Sequence, residues 1–520
     1  MLARVSVWWL AAALLAAIVV LDVASMRHLS VTYDEPRHFL YGQNILKLDS
    51  TRFDDSKMPI SALNALPGAV SAPLNRIEDG RYVTVVFSVL VALCVFAWAR
   101  ELYGDKAGLL ALTLYTFDPN LLAHSQLVTT DLYATGTITF ALFAFWRCLR
   151  AGTWRAAVIA GMTLGVAQIA KYTALALFPL FALIALLFHV RKIAKEVRER
   201  HFGALRVRLA QFCGRALLLL LISLASINVG FLFNRSGTPL RDYVFRSDVF
   251  RSLQSSAGIL GDVPLPLPYP YLEGLDWVVQ RERTGEGYGN LYLRGEIRHG
   301  SGFAGYFFYA TLYKMPLGTQ LVLLAAIVVF ALKVRRFDDF RNEWTILCPV
   351  VFFAVYFNYF YRAQIGIRFF LVVFPLLFVF AGSLLRDGRA LPRVARAGLS
   401  VALVGLVVSV LSYYPHFLPY FNELIGNRRL AYRVLADSNI DWGQHVWYFK
   451  QYMASHPNAI VEPDGPTAGT VLVGVNALTG VAGEPEKFKW LRDNFQPVDD
   501  ITHAVLIYRI FPADLDRLRR

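Results

Sequence analysis

The feature that most restricts this chain is a succession of apolar runs long enough to cross the ~30 Å hydrocarbon core of a bilayer. They lie at about 5–26, 82–99, 107–123, 129–148, 156–169, 172–189, 214–233, 317–332, 345–360, 368–385 and 397–414, eleven candidate spans, with a short break at Ala170-Lys171 between the fifth and sixth. With 56% hydrophobic and 17% charged residues and a mean hydropathy of +0.44, the composition lies outside that of an ordinary soluble domain. The expectation is an all-α polytopic membrane protein. The first run has two readings, an anchor or a cleaved signal peptide, because Met1–Arg4 is short and basic and Val23-Ala24-Ser25 is small. Cleavage would leave the acidic pair that follows without its anchor, so retention is expected.

Lys and Arg set the expected orientation. They gather in alternate connections, at Arg100 and Lys106, at Arg147, Arg150 and Arg155, eight times between Arg191 and Arg215, at Lys333, Arg335, Arg336 and Arg341, and at Arg386, Arg389, Arg393 and Arg396. The intervening connections around 119–128, 170–172 and 361–367 hold only Lys171 and Arg362. The N-terminus is therefore expected in the cytoplasm and the C-terminal tail outside. The net charge of +14 then reflects the inner loops and anionic headgroups and gives no argument for nucleic acid. Cys94, Cys148, Cys213 and Cys348 all fall in spans or on the inner side. No disulfide framework and no Cys/His metal spacing is expected.

Two long external segments are expected, 27–81 and 234–316. The first opens with Thr32-Tyr33-Asp34-Glu35-Pro36, two adjacent carboxylates where the first span surfaces. Acids at the edge of hydrocarbon are costly and mark working sites, which makes Asp34 and Glu35 candidates for catalysis. The competing reading is helix capping, with Asp34 as N-cap and Pro36 in the first turn of a helix carrying Tyr41, Ile45 and Leu48 on one face. A second acidic cluster with a lysine follows, Asp54-Asp55-Ser56-Lys57-Met58-Pro59.

At the same surface, Asp131 leads into the fourth span and is either a site residue or an N-cap, and Lys171 between two runs either snorkels to water or faces an anion. The segment 234–316 is rich in Gly, Pro and Tyr, a composition suited to a lid or binding loop, and ends at Lys314-Met315-Pro316, returning a lysine to the mouth. Arg362 and Arg368 stand between the ninth and tenth spans. After 414 the chain reads as a small external α/β unit, with a helix near 442–454, strands near 470–475 and 503–510, and a short helix around 486–494.

Acids and bases gathered at one membrane surface suit a reaction on a lipid-linked phosphate. Cations stabilise charge growing on the leaving phosphate, and a carboxylate takes the proton of an incoming hydroxyl. One base opposite the leaving group implies inversion at the anomeric carbon.

The chain resembles the membrane glycosyltransferases of the C superfamily (GT-C), to which protein O-mannosyltransferases and the lipid A aminoarabinose transferase belong. Tyr33-Asp34-Glu35, the Asp55, Lys57, Pro59 element, Thr130-Asp131, Ala170-Lys171-Tyr172-Thr173, Lys314-Met-Pro316 and Gly366-Ile-Arg368 carry the resemblance. Tyr420-Phe-Asn-Glu423 and Asp437-Ser-Asn-Ile-Asp-Trp-Gly-Gln444 are similar to bacterial phospholipid-carrier-dependent glycosyltransferases. Many such relatives have His-Pro-Pro where this chain has Lys57-Met58-Pro59.

The resemblance implies a GT-C catalytic module over 1–414 and an extracytoplasmic C-terminal unit over 415–520, in a bacterial inner membrane. It implies a polyprenyl-phosphate sugar as donor and a hydroxyl-bearing glycan, lipid or protein as acceptor. Asp34 with Glu35 would be catalytic, Lys57, Lys171, Arg362, Arg368 and Lys314 would meet the donor phosphate, and Asp55, Asp131, Asn439, Asp441 and Trp442 the sugar or acceptor. No cofactor is expected, a divalent metal remaining open. Two other classes stand beside the transferase, a transporter or flippase of lipid-linked glycans and a non-catalytic accessory subunit. Against the transporter, the charges sit at one surface rather than the midplane, and the two halves do not match.

Overall fold

The computed structural model describes residues 2–333, 342–386 and 391–518. Arg335, Arg336, Arg341 and Arg389 of the charge pattern lie outside the described residues. Helix α1 is Leu2–Met26, α2 Glu35–Leu46, α3 Ala62–Val70, α4 Ile77–Tyr103, α5 Asp105–Thr116, α6 Pro119–Ser125, α7 Asp131–Ala151 and α8 Trp154–Gln168. They are followed by α9 Leu177–Arg198, α10 Phe202–Gly230, α11 Asp248–Ser256, α12 Tyr269–Thr284, α13 Tyr306–Lys314, α14 Leu317–Lys333, α15 Trp344–Tyr359, α16 Phe374–Ala381 and α17 Arg393–Leu411.

Seven helical stretches among the described residues are long and apolar enough to cross a membrane, and eight if the bent pair α13/α14 counts as one span. The protein is a multi-pass membrane protein. By this measure eleven spans are not reached, for identifiable reasons. The run 107–123 is cut at Asp118, whose carboxylate accepts from the backbone N–H of Asn120 and Leu121 and so starts α6 as a separate helix. The runs 156–169 and 345–360 form helices of 15 and 16 residues. The run 317–332 joins α13 at an angle of 114° around Met315-Pro316. The bend is held because the Asn422 side-chain amide donates to the carbonyl of Met315 and that of Asn120 to the carbonyl of Lys314.

The bundle centre is formed by α7 and by Ile367–Leu385, whose apolar windows are 78% and 89% buried. Helices there satisfy hydroxyls on their own backbone, as a medium without water requires: Thr135 donates to the Asp131 carbonyl and Thr139 to that of Thr135. Glycines allow close approach where packing rather than the hydrophobic effect must hold helices together. A Cβ on Gly165 of α8 would stand 2.4 Å from Ser226 Cβ of α10, and one on Gly318 of α14 would stand 2.2 Å from the Ala402 carbonyl oxygen of α17.

Between the membrane helices and the last hundred residues, short antiparallel strands β1 (Asn290–Leu293) and β2 (Glu296–His299) pair. A second sheet follows, formed by β3 (Ile460–Val461), β4 (Gly469–Gly474), β5 (Asp499–Ile501) and β6 (Val505–Ile510) in the order β3-β4-β6-β5, with only β3 and β4 parallel. Helices α18 (Val446–Ser455), α19 (Val475–Thr479), α20 (Lys489–Asn494) and α21 (Pro512–Leu518) accompany it. The four elements read from the sequence lie near α18, β4, α20 and β6, whereas β3, β5, α19 and α21 had no reading.

Candidate active site

Asp34 occupies the N-cap position of α2, yet its side chain makes no capping bond. The carboxylate instead accepts a hydrogen bond of 2.9 Å from Arg368. The two readings of Asp34 thereby separate: the position is a helix start, and the side chain serves a different partner. The expected face of α2 needs a correction as well. Tyr41 and Ile45 are buried with Phe39 and His38, but Leu48 lies beyond the helix end with a φ of 60° and is 78% exposed.

The neighbouring carboxylate has another fate. Glu35 is fully buried and pairs with Arg81 at 2.6 Å. It also accepts from the N–H and hydroxyl of Thr32 and from the N–H of Val128, while Arg81 donates onward to the carbonyls of Leu29 and Ser30. Every charge in this knot is paired and hydrogen-bonded, the condition under which a buried ion pair is tolerated. Glu35 ties the start of α2 to α4 and to the approach of α7, and it does not line the cavity described next. The expectation that Glu35 is catalytic is corrected: adjacent residues at a helix start point about 100° apart, so one reaches the cavity and the other the core.

The cavity, about 1430 Å³, is lined by Asp34, Asp55, Lys57, Asp131, Lys171, Arg368, Asp441 and Trp442 among others. Eight of the sequence-selected residues thus share one wall system, brought from five separate stretches of chain, 34–57, 131, 171, 368 and 441–442. Arg368 is its pivot. The same Nη1 that donates to Asp34 lies 3.6 Å from Asp131, and the guanidinium stacks 4.0 Å over the Trp442 ring. Its Nε, buried, has no hydrogen-bond partner among the described residues.

Asp131 is the first residue of α7, but it does not cap that helix; it accepts from the Lys171 ammonium at 2.6 Å. Lys171 also rests 4.3 Å over the Phe369 ring, so it is anchored within the site and does not merely snorkel. Lys57 is buried, 3.9 Å from Asp54. Asp55, expected to meet the sugar or acceptor, lines the cavity and pairs with Arg246 at 2.8 Å, which fastens the 234–316 segment to the mouth. Helix α12 from that segment contributes Trp277 and Arg281 to the wall.

Three expectations are not met. Lys314 is fully buried outside the cavity lining, donating to the carbonyls of Leu418 and Asn439. It holds the C-terminal segment in place, and no phosphate can reach it. Arg362 is likewise absent from the lining and donates to the Gly300 carbonyl, while its backbone N–H goes to Glu282. The two arginines of the 362–368 turn are therefore separated by the fold.

Asn439 is fully buried and does not line the cavity. Its Oδ1 accepts from the N–H of Ile367 and its amide donates to the Tyr306 hydroxyl and the Ala436 carbonyl. Together with Ser438, whose hydroxyl donates to the Ile365 carbonyl, it clamps the Gly366-Ile367-Arg368 turn. Gly366 has φ 154°, and a Cβ there would stand 2.2 Å from Ser438 Oγ. Asn439 is therefore a positioning residue for Arg368.

The electrostatics follow from this geometry. For Asp34, burial works toward protonation, but the neighbouring Arg368 and Lys57 hold the carboxyl below its usual range. His38, one turn along α2 and in the cavity wall, is kept neutral, chiefly by burial and then by Lys57, its pKa pushed down to about 3. Burial lowers Lys57, with Asp34 and Asp54 opposing. Asp437, also in the wall, is raised to about 6 by burial against the pull of Arg368. His38, Arg37 and Asp437 were not singled out as site residues. The spacing of Arg37 and His38 at three and four residues from Asp34 was the available signal, whereas no local pattern marked Asp437, which has a φ of 58° and lines the cavity.

Residues 74–213, which include Arg81, Asp131 and Lys171, match the model of the dolichyl-phosphate-mannose-protein mannosyltransferase family, in line with the resemblance to GT-C glycosyltransferases. No curated protein sequence matches the chain. Among solved structures, the archaeal oligosaccharyltransferase AglB from Archaeoglobus fulgidus, in complex with an inhibitory peptide and a dolichol-phosphate, is similar at 15% identity and a TM-score of 0.43. The match covers 77% of this chain and 55% of AglB, so the chain spans little more than half the length of that protein. ArnT from Cupriavidus metallidurans is similar over 96% of this chain and 97% of its own, at 12% identity and a TM-score of 0.34 in the apo state. Its complex with undecaprenyl phosphate gives 13% identity, the same coverage and a TM-score of 0.31.

Proposed function

We propose that this protein is an inverting glycosyltransferase that moves a hexosyl or pentosyl group from a polyprenyl-phosphate donor to a hydroxyl acceptor at the extracytoplasmic membrane surface. The observation that carries this reading is the convergence of the Asp34 carboxylate with Lys57, Lys171 and Arg368 on the wall of a single cavity. A volume of about 1430 Å³ exceeds that of an ordinary small-molecule pocket and suits a donor headgroup together with an acceptor. The family match over 74–213 supports the same class.

In this reading the acceptor oxygen attacks the anomeric carbon while the bond from that carbon to the phosphate oxygen breaks, and the phosphate leaves with the electron pair. The proton of the hydroxyl passes to Asp34. A carboxylate held at low basicity by Arg368 takes this proton late, once the attacking oxygen has become acidic by bonding to carbon. The cations lie where negative charge grows on the leaving phosphate, and their burial strengthens the effect relative to water. Arg368 links the two tasks, since it orients Asp34 and has an unused buried N–H.

The test is incubation of the purified protein with a panel of polyprenyl-phosphate sugars and a hydroxyl acceptor, following release of polyprenyl phosphate. One donor should be turned over, and Asp34→Asn should slow release by about 10²–10⁴-fold with protein level unchanged. Undiminished release by Asp34→Asn would remove Asp34 from the role of base.

A further inference from the structure

Helix α7 runs from Asp131 to Ala151, 21 residues and roughly 30 Å of rise, the thickness of a hydrocarbon core. The cavity described above lies at its first residue, and a second one lies at its last. This second cavity, about 950 Å³, has a mouth lined by Glu101, Arg147, Arg150 and Arg155 and apolar walls that include Phe140, Phe143 and Ile159.

The lining changes character in register. Phe140, Phe143 and Arg147 recur at three and four residues along α7, and Arg155 and Ile159 do so along α8, so each helix shows one stripe that is cationic at the membrane face and apolar toward the midplane. From Ala151 back to Phe140 the groove extends roughly 16 Å, about half of the hydrocarbon core. That is the reach of one acyl chain within one leaflet.

Charge complements the shape. Glu101 pairs with Arg150 at 3.2 Å and lies 3.9 Å from Arg147, and Arg155 makes no ion pair among the described residues. Three cations face one anion, leaving a positive surplus. The guanidinium of Arg147 sits 5.6 Å over Phe143 and that of Arg150 sits 4.7 Å over Trp146, which orders both side chains although they are 62% and 46% exposed.

We infer that this groove is a binding site for one anionic phospholipid of the leaflet opposite Asp34, with its phosphodiester headgroup among Arg147, Arg150 and Arg155 and one acyl chain along Phe140, Phe143 and Ile159. The lipid is a resident of the bundle and takes no part in the transfer reaction. It covers apolar wall that would otherwise face a void, and it offsets the surplus cations.

The experiment measures binding to the full-length protein in detergent, with phosphatidylglycerol, phosphatidylcholine and inorganic phosphate as probes. Phosphatidylglycerol should be preferred over phosphatidylcholine on the order of thirtyfold, as expected for two uncompensated basic residues, and inorganic phosphate should not compete. In Arg150→Ala/Arg155→Ala the preference should fall to within about twofold. Glu101→Gln, which removes the competing carboxylate and leaves every cation in place, should raise it. Ile159→Trp should weaken phosphatidylglycerol binding without changing the response to ionic strength. Equal binding of the two lipids, effective competition by inorganic phosphate, or an undiminished preference in the double variant would each overturn the assignment. A double variant that failed to fold would leave Glu101→Gln decisive, since no gain in preference there also overturns it.

Discussion

The two ends of α7 carry the same kinds of residue and use them differently. At the Asp131 end, acids and bases are removed from water: the side chains of Arg368 and Asp131 are 9% and 4% exposed and lie 3.6 Å apart. At the Ala151 end, Arg147 and Glu101 are 62% and 38% exposed. A charge in the first group has a fixed partner and a strong field, because little solvent screens it. In the second group, each pair contributes at most about 1 kcal/mol, and the ensemble acts as a diffuse attraction for anions. Burial rather than composition separates a centre that can direct chemistry from a surface that can hold a lipid.

The comparison can be broken most sharply at the adjacent acids. Arg81→Met should destabilise the protein by about 3–5 kcal/mol, since it strands the Glu35 charge in the core; thermal unfolding and the yield of folded protein would report it. Asp34→Asn should instead leave folding intact while transfer falls as given above. Equal loss of folded protein in both would mean that Asp34 is as structural as its neighbour.

Arg368→Lys keeps the charge but gives up the planar guanidinium that stacks over Trp442 and holds its Nη1 against Asp34 and Asp131. It should reduce kcat by about 10–100-fold with a smaller change in KM, measured by single-donor kinetics. A loss confined to KM would assign Arg368 to donor binding alone.

A smaller effect concerns pH. The unfolded chain takes up a proton on His38 near pH 6.5, and the folded chain only near 3. The neutral form therefore contributes stability that is complete above about pH 6.5 and is lost as the pH falls toward 3. His38→Gln should flatten the acid side of a plot of unfolding midpoint against pH; an unchanged slope would show that His38 is not kept neutral. The smallest effect is expected at the opposite end of the bundle. Glu101→Ala should alter stability by less than about 1 kcal/mol, and salt should reduce the difference further.

Several parts of this arrangement were legible before any fold was known. Long apolar runs report spans because an unpaired backbone amide in hydrocarbon is prohibitive, and carboxylates beside such runs report a site because their placement is costly. Asp34, Asp131, Lys57, Lys171 and Arg368 were read from such acids and the cations gathered at the same surface, whereas Asp441 and Trp442 came only with the resemblance to GT-C glycosyltransferases. Where the reading failed, the deciding neighbours were distant in sequence. Lys314 and Arg362 carry the same charges as Lys171 and Arg368, but they are taken up by carbonyls of Leu418 and Gly300, 104 and 62 positions away. No local pattern distinguishes a lysine that faces an anion from one that ties down a loop.

From its residues alone this chain determined that it crosses a membrane repeatedly and that acids and cations collect at one surface, since hydropathy and charge act locally and need no partner. Which carboxylate of the adjacent pair faces a cavity was decided only by tertiary structure. Asp34 meets an arginine 334 positions away, and Glu35 meets one 46 positions away in the core. The free energy of a buried charge lies in the partners that replace its water, and folding alone brings those partners to it.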